Sequence, residues 1–240
     1  MKTSLPTDPT LTGSASMPAP QTAAIYGVVL SVGIVCSLAT VTVYQLTLPR
    51  ILRNQVAMRH DAILAVLPDV VSVIPFKIDQ AGGRFQPAAT DTADSDLVFA
   101  GFGPSGELVG LAIETEGMGY QDTIRLMYGY SPHEQAIIGI RVLESRETPG
   151  LGDRIETNAN FLSHFRRLDV SLDSTSNQLA HPIEFVKSGN KSNPWQIDGI
   201  TGATISSRAT AAMIGDSAAD WIPRVYPRVA DFTATPLESR

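Results

Sequence analysis

The sequence predicts an α+β protein: one N-terminal transmembrane helix, then a domain built on a mainly antiparallel sheet with flanking helices. Three observations carry this reading. A charge-free apolar run lies near the N-terminus. Short β-branched runs follow at close intervals, with Gly, Pro and Ser between them. A helical pattern starts near Thr201 and occupies the C-terminal part of the chain.

Residues 1–20 are rich in Pro, Ser and Thr, carry little hydrophobic pattern, and read as a flexible tail. No charged residue falls between Asp8 and Arg50, and residues 23–48 are dominated by Ile, Val, Leu, Ala and Gly. A bilayer core needs about 20 apolar helical residues, so residues 21–49 read as one membrane span. Tyr26 and Tyr44 sit near its ends, where interfacial aromatics belong. Pro49 is expected to stop the helix, with Arg50 and Arg53 in the headgroup zone. Ser31, Ser37, Thr40 and Thr42 can bond back to carbonyls of their own helix. A cleaved signal peptide fits poorly, because the apolar stretch is long and Lys2 is offset by Asp8. A lipoprotein needs a small residue before the cysteine, and Val35 precedes Cys36. Cys36 reads as a small apolar residue. Arg50, Arg53 and Arg59 follow the span against Lys2 before it, a bias that alone places the C-terminal part in the cytoplasm.

The domain is expected over residues 50–222. Ile51, Leu52, Val56, Ala57, Ile63, Leu64 and Val66 have near-helical spacing, so the membrane helix continues into, or hands over to, an amphipathic helix ending before Pro68. Val70–Ile78 reads as a strand and residues 79–95 as a loop. Four strands follow: Leu97–Gly101, Leu108–Glu116, Thr123–Tyr130 and Ile137–Leu143, the last with Ile138, Ile140 and Val142 on one face. Asn158–Leu168 reads as a short helix, Pro182–Val186 as a strand and residues 187–197 as a polar loop. The C-terminal helix is expected from Thr201 to about Trp221, ended by Pro223, with residues 223–240 a tail.

Composition excludes several functions. The 240 residues carry a net charge of −6, which argues against nucleic acid as a partner. The single cysteine rules out a disulfide framework or a Cys cluster within the chain, and none of the four histidines pairs at helical ligand spacing, so no metal site is expected. No acid–base or nucleophilic constellation is visible.

The most informative stretch is Asp198-Gly199-Ile200-Thr201-Gly202-Ala203-Thr204-Ile205-Ser206. Thr204 falls in the first turn of the C-terminal helix, where unpaired N–H groups favour a phosphate. Thr201 is placed to cap that helix, Gly202 allows close approach to the backbone, and Ala203 keeps the approach clear. The plainer alternative is a good helix start, with Asp198 in an Asx turn and Ser206 and Ser207 facing solvent. A second stretch, Glu147-Thr148-Pro149-Gly150-Leu151-Gly152-Asp153, makes a tight turn with exposed backbone that can lie against a flat ring; the alternative is an ordinary Pro-Gly turn. Gly117-Met118-Gly119-Tyr120 precedes a strand, and Ile137–Leu143 feeds the 147–153 loop. Arg208 lies one helical turn beyond Thr204 and can reach a phosphate or be merely solvated. Lys187 and Lys191 share that ambiguity, and Trp195 either shields a ligand or packs its loop.

Across roughly residues 20–222 these segments resemble the covalent FMN-binding family that comprises the G subunit of the Rnf electron-transport complex and the C subunit of the sodium-translocating NADH:quinone reductase. The resemblance implies FMN joined through a phosphodiester to Thr204, with Asp198, Thr201, Gly202 and Ala203 in the attachment motif. It implies that Thr148, Gly150, Leu151, Gly152 and Tyr120 adjoin the ring, with Arg208 a candidate for the phosphate. It further implies an electron relay in a bacterial inner-membrane complex that couples ferredoxin/NAD electron flow to ion movement. The implied partners are other membrane subunits, including a second flavin-bearing one, and a flavin transferase using FAD and magnesium. The soluble domain is then periplasmic, against the arginine count, and the resemblance is the stronger argument. Two alternatives remain open: the quinone-reductase C subunit, and a membrane-tethered binding module without cofactor.

Overall fold

The computed structural model describes residues 22–79, 83–88 and 97–233; the expected tail at 1–20 lies outside them. The chain divides into two compact units at Arg53/Asn54. Helix α1, Thr22–Val66, runs unbroken for 45 residues. At 1.5 Å per residue it is about 67 Å long, more than twice the roughly 30 Å of a hydrocarbon core. It is the one helix among the described residues long and apolar enough to cross a membrane. Ser31, Thr40 and Thr42 donate their hydroxyls to the carbonyls of Val28, Cys36 and Leu38, as the sequence suggested. Pro49 does not stop this helix but lies inside it. Proline costs one backbone bond, and the helix-favouring residues that follow it, Leu52, Arg53, Gln55, Ala57 and Met58 among them, keep the helix going.

After α1, the strands are β1 Ser72–Ile78, β2 Phe85–Pro87, β3 Leu97–Phe102, β4 Leu108–Met118, β5 Thr123–Ser131, β6 Ala136–Glu144 and β7 Leu168–Asp169. They form one antiparallel sheet in the order β2-β1-β3-β4-β5-β6-β7. β2 lies in the segment expected to be all loop; the rest of 79–95 is largely outside the described residues. Between β6 and β7 come α2 Arg154–Thr157, α3 Ala159–Ser163 and a 3₁₀ turn at His164–Arg166, in place of one helix over 158–168. Strands β8 Glu184–Val186 and β9 Gln196–Asp198 pair in parallel, and β9 occupies the end of the expected polar loop. Helix α4 spans Thr204–Val225 and passes into a 3₁₀ turn at Tyr226–Asp231. Pro223 therefore does not end it; burial of Ile222 and Val225 outweighs one missing bond. The segment expected as a tail adds to the core, where Phe232 packs on Phe76 and Phe85 with ring centroids 5.0 and 4.8 Å apart.

The sheet is covered on both faces. Alternation along β3 sends Val98, Ala100 and Phe102 to one core and Leu97 and Phe99 to the other. The first core joins the sheet to α4 through Ile214, Ala218 and Ile222, and Tyr128 on β5 meets Ser217 on α4 at 2.9 Å between hydroxyl oxygens. The second lies under the last turn of α1, where Ala62, Ile63, Val66 and Leu67 pack on Phe99, Ala112 and Met127. In β6, Ile138 does not share a face with Ile140 and Val142. The register slips there, Tyr130 pairing with Ile137 and Gly129 with Gly139, so Ile138 is the extra residue of a β-bulge.

Candidate functional site

The chain leaves β9, turns at Gly199–Ala203 and enters α4. Gly202 has φ +89°, a left-handed conformation that favours glycine, and this turns the backbone into the helix. Ala203 is the N-cap and is buried, and no side chain caps the helix. Thr201 is thus not the cap; its carbonyl instead accepts a bond from Arg154 Nη1 at 2.9 Å. Thr204 is the first helical residue and its side chain is exposed. As the first residues of the helix, Thr204, Ile205 and Ser206 have N–H groups with no acceptor inside it. Ser206 and Ser207 are buried rather than solvent-facing. Ser207 Oγ donates to the Ala203 carbonyl at 2.8 Å and accepts from Ile200 N–H at 3.3 Å.

The 147–153 loop lies against this helix start. Leu151 N–H reaches the Thr148 carbonyl at 3.1 Å, and Gly150, φ +77°, sits at the open tip. The Thr148 hydroxyl donates to Gln121 Oε1 at 3.2 Å, tying the loop to the turn after β4. Between them is a cavity of about 320 Å³, in the size range of small-ligand sites. Tyr120 contributes from the turn after β4, Thr148, Leu151 and Gly152 from the loop, and Gly202, Ala203 and Thr204 from the helix start. Leu151, Ile205 and Tyr120 give it half-exposed apolar walls, while Thr204 and the uncapped N–H groups stand at one side. Apolar walls beside an anion-favouring helix end suit a flat aromatic ligand bearing a phosphate.

Other residues singled out in the sequence lie elsewhere. Asp198 is buried in β9 and accepts the N–H groups of Gly189 at 2.8 Å and Asn190 at 3.1 Å, pinning that turn. It lines, with Thr201, Arg154 and Ser188, a separate crevice of about 150 Å³. Arg208 places its guanidinium 5.0 Å over the Phe185 ring and does not line the Thr204 cavity. Trp195 stacks on His181 at 3.8 Å, so it packs its loop. Burial pushes Lys191 below the usual ammonium range, with Asp198 opposing. Burial and then the Lys191 charge push His164 down. Sequence reasoning quoted Glu147, Ile205 and Ser206 within its two stretches without giving any of them a place at the site, and it did not name Arg154. The first three lie within the motif stretches, whereas no spacing rule marks Arg154.

A profile described as the FMN-binding domain matches residues 119–219, which contain every wall of the cavity. The fold is that of two solved proteins. One is Shewanella oneidensis NqrC, with TM-score 0.50 and 21% identity over 67% of this chain and 82% of that one. The other is the C subunit of the Na(+)-translocating NADH-quinone reductase of Parabacteroides distasonis, with TM-score 0.51 and 18% identity over 65% and 78%. The chain thus carries an FMN-binding domain and one long apolar N-terminal helix.

The G subunit of the ion-translocating oxidoreductase complex of Methanosarcina acetivorans is 34% identical over 143 residues, 58% of this chain and 67% of the relative. The G subunit of the Haemophilus influenzae (strain PittEE) complex is 28% identical over 192 residues, 77% and 83% of the two chains. The chain belongs to the G-subunit family of ion-translocating oxidoreductase complexes.

Proposed function

We propose that this chain is the electron-relay subunit of a membrane-bound, Rnf-type ferredoxin/NAD oxidoreductase coupled to ion translocation, with FMN held through a phosphodiester on Thr204. The observation that carries it is the exposed Thr204 hydroxyl at an uncapped helix start beside the 320 Å³ cavity. Bound FMN supplies one- and two-electron chemistry. The chain supplies the rest: Thr204 the ester oxygen, the first N–H groups of α4 a seat for the phosphate, and Tyr120, Thr148, Leu151 and Gly152 a wall for the ring. Gly202 and Ala203 leave the hydroxyl open to a flavin transferase, and Asp198 and Thr201 shape the turn that enzyme reads. A covalent tether keeps the carrier in an open site. Helix α1 anchors the protein among the other membrane subunits, one of them carrying a second flavin. The domain faces the periplasm, where the transferase acts; an inactive alkaline-phosphatase fusion at residue 240 would reverse that assignment.

Intact mass tests the core of this reading. Full-length protein made with a flavin transferase is expected to gain about 438 Da, the mass of FMN less water; an unmodified mass overturns it and favours a cofactor-free module. The identity of co-purifying proteins separates the Rnf assignment from the quinone-reductase one. Arg208→Ala is expected to leave that mass gain intact, because the guanidinium rests on Phe185; loss of the gain would return Arg208 to the phosphate.

A further inference from the structure

Glu147 is 6% exposed, yet no Lys or Arg pairs with it among the described residues. Its Oε1 accepts the N–H groups of Tyr120 at 2.8 Å and Gln121 at 3.0 Å. Its Oε2 accepts the hydroxyl of buried Ser206. Both oxygens act as acceptors, the bonding pattern of a carboxylate. The seat is tight: a Cβ on Gly152 would lie 2.8 Å from Glu147 Cβ and 2.8 Å from Ser206 Oγ. One oxygen thus holds the 120–121 turn and the other the first turn of α4. Glu147 also lines the cavity beside Thr204, and apart from the Tyr120 phenol it is the sole acid or base among the cavity's lining residues. Desolvating a carboxylate without a counter-ion is costly, and hydrogen bonds to the charge offset only part of that cost.

We propose that Glu147 is a fixed negative charge that lowers the reduction potential of FMN carried on Thr204. The proposal rests on the reading given above. FMN takes up two electrons from its donor and one or two protons from water. Where fewer protons than electrons arrive, the ring becomes negative. A carboxylate buried in the wall of that cavity repels that charge and favours the oxidised form. Being buried, it is little screened by salt. The three donors fix its position, so the effect does not relax when electrons arrive.

The test uses full-length protein, made with the transferase and held in detergent, as wild type, Glu147→Gln and Ser206→Ala. Intact mass comes first. A wild type without FMN overturns the Thr204 reading and this proposal with it. Given loading, spectroelectrochemical titration at one pH is expected to put Glu147→Gln above wild type, since the amide keeps the backbone bonds and loses the charge. Ser206→Ala, which keeps the charge and removes a donor from it, is expected below wild type. An unchanged or lower potential in Glu147→Gln overturns the proposal, as do shifts of both variants in one direction, which is what a loosened clamp would give. Should Glu147→Gln fail to fold, Ser206→Ala decides alone: a fall supports the charge, and no shift or a rise overturns it.

Discussion

Thr204→Ala is expected to abolish covalent FMN completely while leaving the fold unchanged. The side chain is exposed on the first residue of α4, so no packing is lost. Alanine is the better helix former by a few tenths of a kcal/mol, and the melting temperature should hold or rise slightly. No hydroxyl of the 201–207 turn is placed to substitute, and that of Thr148 across the cavity is bonded to Gln121. Ser206 is buried against Glu147, and Ser207 is buried with its Oγ on the Ala203 carbonyl. Thr201 is exposed but lines the other crevice, not this cavity. The variant's intact mass should therefore lack the whole increment of about 438 Da, and its denatured band should show no flavin fluorescence under ultraviolet light. Thr204→Ser keeps the oxygen and should retain part of the loading. Flavin mass persisting in Thr204→Ala would place the ester on another residue.

Apart from Tyr120, the residues lining the cavity cluster in two short stretches. Residues 147–153 and 198–206 each carry glycine where side chains would obstruct, and it was the resemblance to the FMN-binding family, not spacing, that set them at one site. What escaped was set by partners distant in sequence. Arg208 looks available one turn past Thr204, but β8 presents Phe185 beneath it. Ser206 and Ser207 look like solvent-facing helix residues until the 147–153 loop and the turn at Ile200 cover them. Thr201 has the chemistry of a cap, but the left-handed Gly202 moves the helix start to Thr204 and leaves Ala203 at the cap. Both prolines misled in one way. One lost hydrogen bond is outweighed at Pro49 by the helix-favouring residues after it and at Pro223 by buried side chains. The facing error in β6 came from strict alternation, which a one-residue bulge at Ile138 defeats.

Gly129→Ala is expected to be markedly destabilising, and Gly139→Ala nearly neutral, although the two glycines face each other across β5 and β6. The last turn of α1 lies over both. A Cβ on Gly129 would fall 3.0 Å from Leu67 Cδ2 and 3.0 Å from the Val66 carbonyl carbon, with the carbonyl oxygen nearer still. A backbone carbonyl cannot rotate aside as a flexible side chain can, so the helix end or the strand must move. On Gly139 the nearest atoms, Val66 Cα and O, are 3.3 Å away, a distance that a few tenths of an ångström relieves. Alanine gains about 0.4–1 kcal/mol at either site by restricting the unfolded chain. Overpacking a fitted core costs about 1–3 kcal/mol. The cost wins at Gly129, for a net loss of about 1–2 kcal/mol, and the two effects roughly cancel at Gly139. Urea unfolding of the full chain in detergent, followed by Trp195 and Trp221 fluorescence, should show a lower midpoint for Gly129→Ala alone, at an unchanged slope. Equal midpoints for the two variants would mean that Val66 is not seated on β5, and that the second core under α1 does not form as described.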